Sequence, residues 1–154
     1  MSISLTKGQK ISLSKECPGL SHFTLGLGWN PNKYVGSFDF DLDASVFLLG
    51  KNGKVTCDED FIFYKNLDHP SGAIHHTGDD KTGGNSEDGD DEQIIIDLTK
   101  VPDNIQKIAF TATIYDAEER DQNFGQVSNS YVRVLKIDNP DDVGGEEVLR
   151  FDLV

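Results

Sequence analysis

Apolar residues recur at every second position along most of this chain. The alternation runs through Ile11 and Leu13, then through Phe23, Leu25, Leu27 and Trp29. It returns at Phe38, Phe40 and Leu42 and carries on in the same parity through Ala44, Val46 and Leu48. Shorter runs follow at Val55 with Cys57, over 61–64, at Ile94, Ile96 and Leu98, at Ile108, Phe110, Ala112 and Ile114, at Val132 and Val134, and over 148–153. A period of two turns one face of a strand toward a core and the other toward water. About nine or ten such segments, separated by Gly, Pro, Asn and Asp, predict an all-β antiparallel sandwich. Asn52-Gly53 after the third run predicts a hairpin turn, because both residues tolerate positive φ. Helix is confined to 116–124 (DAEERDQNF), whose acidic start suits a helix N-terminus and which Gly125 closes, and to a short turn over 97–105 interrupted by Pro102.

The 154 residues fit one domain spanning 1–154. Twenty-seven acids against 14 bases give a net charge of −13. Such a chain repels a phosphate backbone, which argues against nucleic-acid binding and against docking on anionic membranes. The longest aliphatic and aromatic runs, at 46–49 and 94–96, fall far short of the roughly 20 residues of a membrane span, so no membrane insertion is expected. The opening MSISLTKGQK lacks the apolar stretch of a secretory signal. Cys17 and Cys57 make neither a CxxC pair nor a disulfide framework, and without an export signal they read as reduced thiols of a cytoplasmic protein.

One stretch fits neither period. Residues 78–92, GDDKTGGNSEDGDDE, carry seven acids, one lysine and four glycines. A loop of this length is either functional or a solvated acidic tether. Calcium takes six to eight oxygens from carboxylates, carbonyls and water, and Asp79-Asp80 with Asp90-Asp91-Glu92 could supply several around the glycines. The spacing excludes an EF-hand, and the absence of cysteine in the loop argues against zinc or copper. A second acidic run, SFDFDLD over 37–43, sets Phe38, Phe40 and Leu42 on one side and Asp39, Asp41 and Asp43 on the other. Two neighbouring carboxylates of that row could embrace a cation, or all three could be outward polar residues of an edge strand. Asp116 is either a further contributor or a helix N-cap.

Other candidates carry less chemistry. His75 and His76 point to opposite faces if extended and read as a solvent-exposed pair, while His22 and His69 have no companions at ligand spacing. GxSxG, HExxH and GxxxxGK[ST] are absent, and no enzyme activity is expected. Residues 26–31 (GLGWNP) begin like a dinucleotide loop but lack its third glycine and read as a turn. Glu118, Glu119, Arg120 and Asp121 read as a charged helix surface. The amides of 123–126 (NFGQ) beside an aromatic either bind a small polar ligand or cap loop backbone.

Several long segments resemble the TerD family of bacterial tellurium-resistance and stress-response proteins. They are LTKGQKISL over 5–13, LGLGW over 25–29, FDLDASVFLL over 40–49, DFIFYKN over 60–66, HTGDDKTGGNSEDGDDE over 76–92, 94–101, and IYDAEERDQNFGQV over 114–127. The resemblance implies a β-sandwich that binds calcium, two ions, through acidic loops gathered at one end. Carried over by position, the ligands are Asp41, Asp43, Asp79, Asp80, Asp90, Asp91 and Glu92; Asp39 precedes the shared pattern. The implied function is a stress-response module whose acidic loop orders around cations and presents a surface to other stress and tellurium-resistance proteins, a membrane-embedded one among them. The alternative is a binder of a small, cyclic-nucleotide-like ligand whose phosphate is bridged by calcium. Two distant cysteines without a redox motif argue against direct tellurite reduction.

Overall fold

The computed structural model describes residues 3–6, 9, 15, 18–32, 38–78, 83, 90–138 and 146–153. Nine strands occur among them: β1 Ile3–Leu5, β2 His22–Gly28, β3 Leu42–Leu49, β4 Phe61–Ile62, β5 Ile74–His76, β6 Glu92–Asp97, β7 Lys107–Ile114, β8 Tyr131–Lys136 and β9 Glu146–Asp152. They form a six-stranded sheet, β1-β9-β8-β2-β6-β5, and a three-stranded sheet, β4-β3-β7. All pairings are antiparallel except β1 with β9. The expected all-β sandwich is the observed fold.

The period-two pattern explains how the sheets meet. Leu42, Ala44, Val46 and Leu48 of β3 are almost wholly buried and face Leu27, Ile74, Ile94 and Ile96 of the larger sheet. Cross-strand rows carry the apolar face onward, one from Ile94 through Leu25, Val134 and Leu149 to Ile3, the other from Glu92 through Leu27, Val132 and Phe151 to Leu5. Ile94 and Leu27 near the inner ends are 0% exposed, whereas Ile3 and Leu5 at the outer ends are partly exposed. The cause is width: six strands span about 24 Å and three only about 10 Å at the usual strand spacing. Phe110 of β7 overhangs a cavity of about 80 Å³ that it shares with Leu5, Leu25, Val132, Val134, Leu149 and Phe151. The outer edge of β7 has no strand neighbour among the described residues.

Several local expectations are corrected. The alternation at Phe38 and Phe40 is not strand, because β7 pairs with β3 only as far as Ile114 opposite Leu42. Gly53 does turn the chain with φ of 77°, but Val55 and Cys57 beyond it are irregular. Residues 26–28 are not a turn; they lie inside β2 between β6 and β8. The helix expected over 116–124 is a single turn, α1 (Ala117–Arg120), followed by a 3-10 turn over Phe124–Gln126. The strand expected at Ile11 and Leu13 lies outside the described residues.

A polar chain pins the stretch before β4 to the hairpin leading into β5. Asp60 accepts from Thr56 Oγ1 at 2.6 Å and pairs with His69 Nε2 at 2.9 Å. His69 Nδ1 accepts from the Ser71 amide at 3.2 Å, so the ring proton sits on Nε2, toward Asp60. His69 thus has a carboxylate companion that sequence spacing did not suggest.

Candidate cation site

Three of the seven carboxylates picked out by sequence come together. Asp41 leads into β3, Asp43 is its second residue, and Glu92 opens β6 in the facing sheet. One carboxylate oxygen from each lies within 4.8 Å of the others. Asp41 and Glu92 are 7% and 1% exposed. The local fold explains how Glu92 arrives there. Because β4 has only two residues and pairs with Val46 and Phe47, no strand among the described residues covers that β3 edge at Ala44. Glu92 Oε1 fills that position and accepts the Ala44 amide at 2.9 Å. His76 Nε2 stands 3.5 Å from the same oxygen, and neither side chain is exposed. His76 is therefore not half of a solvent-exposed pair; only His75 faces water, against Asp68 at 2.6 Å.

The other expected ligands part company. Asp90 is 4% exposed and anchored elsewhere. Its Oδ1 accepts from Arg133 Nε at 2.8 Å and Tyr131 Oη at 2.9 Å, and its Oδ2 from Gln93 Nε2 at 2.9 Å. Burial alone would disfavour the Arg133 charge, but the Asp90 hydrogen bond and charge outweigh it and raise the guanidinium pKa. Burial, then the Asp90 charge, raises the Tyr131 hydroxyl pKa. Gly26 makes room for this anchor: a Cβ there would lie 2.3 Å from Asp90 Oδ2. Asp91 docks on the end of β2, where its Oδ2 accepts the Trp29 amide at 2.9 Å and its own amide donates to Leu27 O at 2.8 Å. Asp79 and Asp80 lie outside the described residues.

Trp29 joins these parts. Its indole Nε1 donates to Phe40 O at 2.8 Å, one residue before Asp41. Gly83 of the acidic loop lies over the same indole, where a Cβ would come within 2.4 Å of Nε1. Asp116 is not an N-cap by hydrogen bonding: it is left-handed at φ 52°, ψ 33°, and its side chain makes no cap bond. The amides of 123–126 serve the backbone, with Gln126 Oε1 accepting the Asn123 amide at 3.1 Å.

Three carboxylates within 4.8 Å repel one another by about 3 kcal/mol per ionised pair at an effective dielectric near 20. A hard divalent cation reverses that sign, and an all-oxygen donor set without thiolate suits calcium or magnesium chemistry. This donor set fits the calcium that the family resemblance implies.

Comparison with known proteins gives the chain its setting. A family model described as the TerD domain matches residues 1–154. General stress protein 16U of Bacillus subtilis is 52% identical, across 99% of this chain and 76% of its own length. Tellurium resistance protein TerD of Serratia marcescens is 50% identical over the same shares. The crystal structure of a homologue of telluride resistance protein (TerD) from Streptomyces coelicolor superposes with a TM-score of 0.67 at 20% identity, across 86% of this chain and 71% of that one, a likeness of fold.

Proposed function

Because this chain belongs to the TerD domain family, we propose that it is a calcium-binding stress-response module of the tellurium-resistance type, a binding protein and not an enzyme. The observation that carries the reading is the meeting of Asp41, Asp43 and Glu92 from two facing sheets. Glu92 is oriented by the Ala44 amide, and Asp41 and Asp43 come from one strand and the segment entering it, so the protein holds like charges together before any ion arrives. Calcium bound there removes the repulsion and ties the larger sheet to the smaller. An acidic loop that runs from Gly78 past Trp29 to Asp90 orders around such an ion and gives partner stress proteins a defined surface.

Binding to the folded state alone stabilises it by mass action, about 2.7 kcal/mol at one hundred times the dissociation constant. The test is calorimetric titration of chelator-treated protein with calcium in excess magnesium, repeated on Asp43→Asn. The expected result is micromolar binding that survives magnesium and weakens at least tenfold in the variant. Equal affinity in the two proteins, or no calcium-dependent heat, overturns the reading.

A further inference from the structure

Residues 38–40 approach the cation site without belonging to a sheet, and something else must hold them. Four consecutive carbonyls, from Phe38 to Asp41, each accept a hydrogen bond from outside the segment. Phe38 O accepts from Asn32 Nδ2 at 2.8 Å and Gln122 Nε2 at 3.1 Å; Asp39 O from Arg120 Nη1 at 3.1 Å and Gln122 Nε2 at 3.3 Å. Phe40 O accepts from the Trp29 indole, and Asp41 O from the Tyr115 amide at 2.8 Å. Only the last resembles a ladder bond. We propose that Arg120 and Gln122, by gripping the Phe38 and Asp39 carbonyls, are positioning residues that hold Asp41 and Asp43 in reach of Glu92. The proposal rests on the reading of those carboxylates as a cation site.

The chemistry of each group fits the role. A primary amide facing two carbonyl oxygens must present its NH₂, so the orientation of Gln122 is set by its partners. Arg120 is flanked in sequence by Glu118, Glu119 and Asp121, yet it makes no ion pair among the described residues. Its guanidinium instead lies 5.3 Å from the Phe38 ring centroid and 5.5 Å from that of Tyr115, with Nη1 on the Asp39 carbonyl. Phe38 is 60% exposed and Tyr115 43%. Phe40 is 7% exposed and packs in the core, but a cavity of about 280 Å³ bordered by Asn32, Phe38, Phe40, Arg120 and Gln122 leaves Phe38 little apolar packing, so hydrogen bonds hold the Phe38–Asp39 end of the segment.

The backbone of α1 is shaped to aim this pair. Asp116 and Asp121, at either end, are both left-handed at φ 52°. After Asp121 the Gln122 amide returns to Ala117 O at 2.8 Å, the closing bond of a Schellman turn, which brings Gln122 beside Arg120 over the same two carbonyls. Non-glycine residues in this region carry strain, and strained residues cluster where geometry serves a site.

The test compares the unsubstituted chain with Gln122→Met, Arg120→Met and Arg120→Lys. Calcium affinity is read by calorimetry, and hydrogen exchange at the amides of residues 39–43 is read in calcium-free protein. Expected are at least tenfold weaker calcium binding and at least tenfold faster exchange at those amides in the two methionine variants, with the calcium-free melting temperature within a few degrees. Arg120→Lys, which keeps a donor for the Asp39 carbonyl, should recover part of the affinity. Unchanged affinity in both methionine variants overturns the proposal, as does weaker binding matched by global loss of the calcium-free fold. Failure of the unsubstituted chain to bind calcium removes the cation reading and this proposal with it; binding that persists unchanged in the variants removes this proposal alone.

Discussion

Replacing Arg133 with methionine isolates the anchor of the acidic loop from the loop itself. The substitution keeps most of the side-chain volume and removes one charge. Asp90, whose side chain is 0% exposed, then keeps, among the described residues, only Tyr131 and Gln93 as donors and no cation against it. Breaking a buried pair from one side costs about 3–5 kcal/mol, because the remaining charge is stranded. Arg133 is 17% exposed and also lies 3.6 Å from Glu147, so the low end of that range, about 3 kcal/mol, is expected. For a chain of this size that is a fall of about 10 °C in melting temperature. The assay is thermal and urea unfolding of Arg133→Met, Asp90→Asn and the double variant. The double should be more stable than Arg133→Met alone by about 2 kcal/mol, since Asp90→Asn removes the stranded charge. A loss below about 1 kcal/mol in the single variant, or strict additivity in the cycle, would refute the argument.

Gly26→Ala tests the same anchor from β2: a Cβ 2.3 Å from Asp90 Oδ2 forces a pinned carboxylate aside, with an expected cost of about 1–3 kcal/mol by denaturant unfolding and no such cost in the Asp90→Ala background. The acid limb of stability should depend on Asp60. Burial there works against ionisation, but hydrogen bonds from Thr56 and His69 outweigh it and hold the folded-state pKa below its ordinary 3.8. A depressed carboxylate contributes stability above the unfolded pKa and loses it as pH falls through the folded one. Asp60→Asn should therefore flatten melting temperature against pH below about pH 4, and an unaltered acid limb would contradict the assignment.

Legibility in the sequence followed how local each cause was. The burial of Leu42, Ala44, Val46 and Leu48 was readable because a strand with one covered face writes its period directly into the chain. The same period at Phe38 and Phe40 misled, because alternation reports side-chain direction and is silent on whether a neighbouring backbone exists to pair with. Residues 26–28 misled in the opposite sense. Gly26 reads as a turn, yet it sits mid-strand so that Asp90 can lie flat against it. The acids at 90–92 were visible as a group, but their three fates were not. Glu92 is set by the β6 register, Asp91 by the Trp29 amide 62 positions away, and Asp90 by Arg133 43 positions away. Arg120 read only as part of a charged helix surface and Gln122 only as part of the helix over 116–124, since their partners are backbone carbonyls some eighty residues earlier, and a carbonyl has no letter of its own.

The unequal widths of the two sheets make self-recognition a separate problem from stability. An edge strand such as β7, with partly buried Ile108, Phe110 and Ile114 behind it, is a template for any extended segment, a second copy of the chain included. Neither proline nor a strand among the described residues blocks it. Long-range charge opposes such pairing: molecules of net −13 meet a repulsive field before their edges can align. Colloidal behaviour and cation chemistry are therefore drawn from one reservoir of carboxylates. Ionic strength, which shortens that field to about 10 Å at 0.1 M salt, sets how closely two such edges approach.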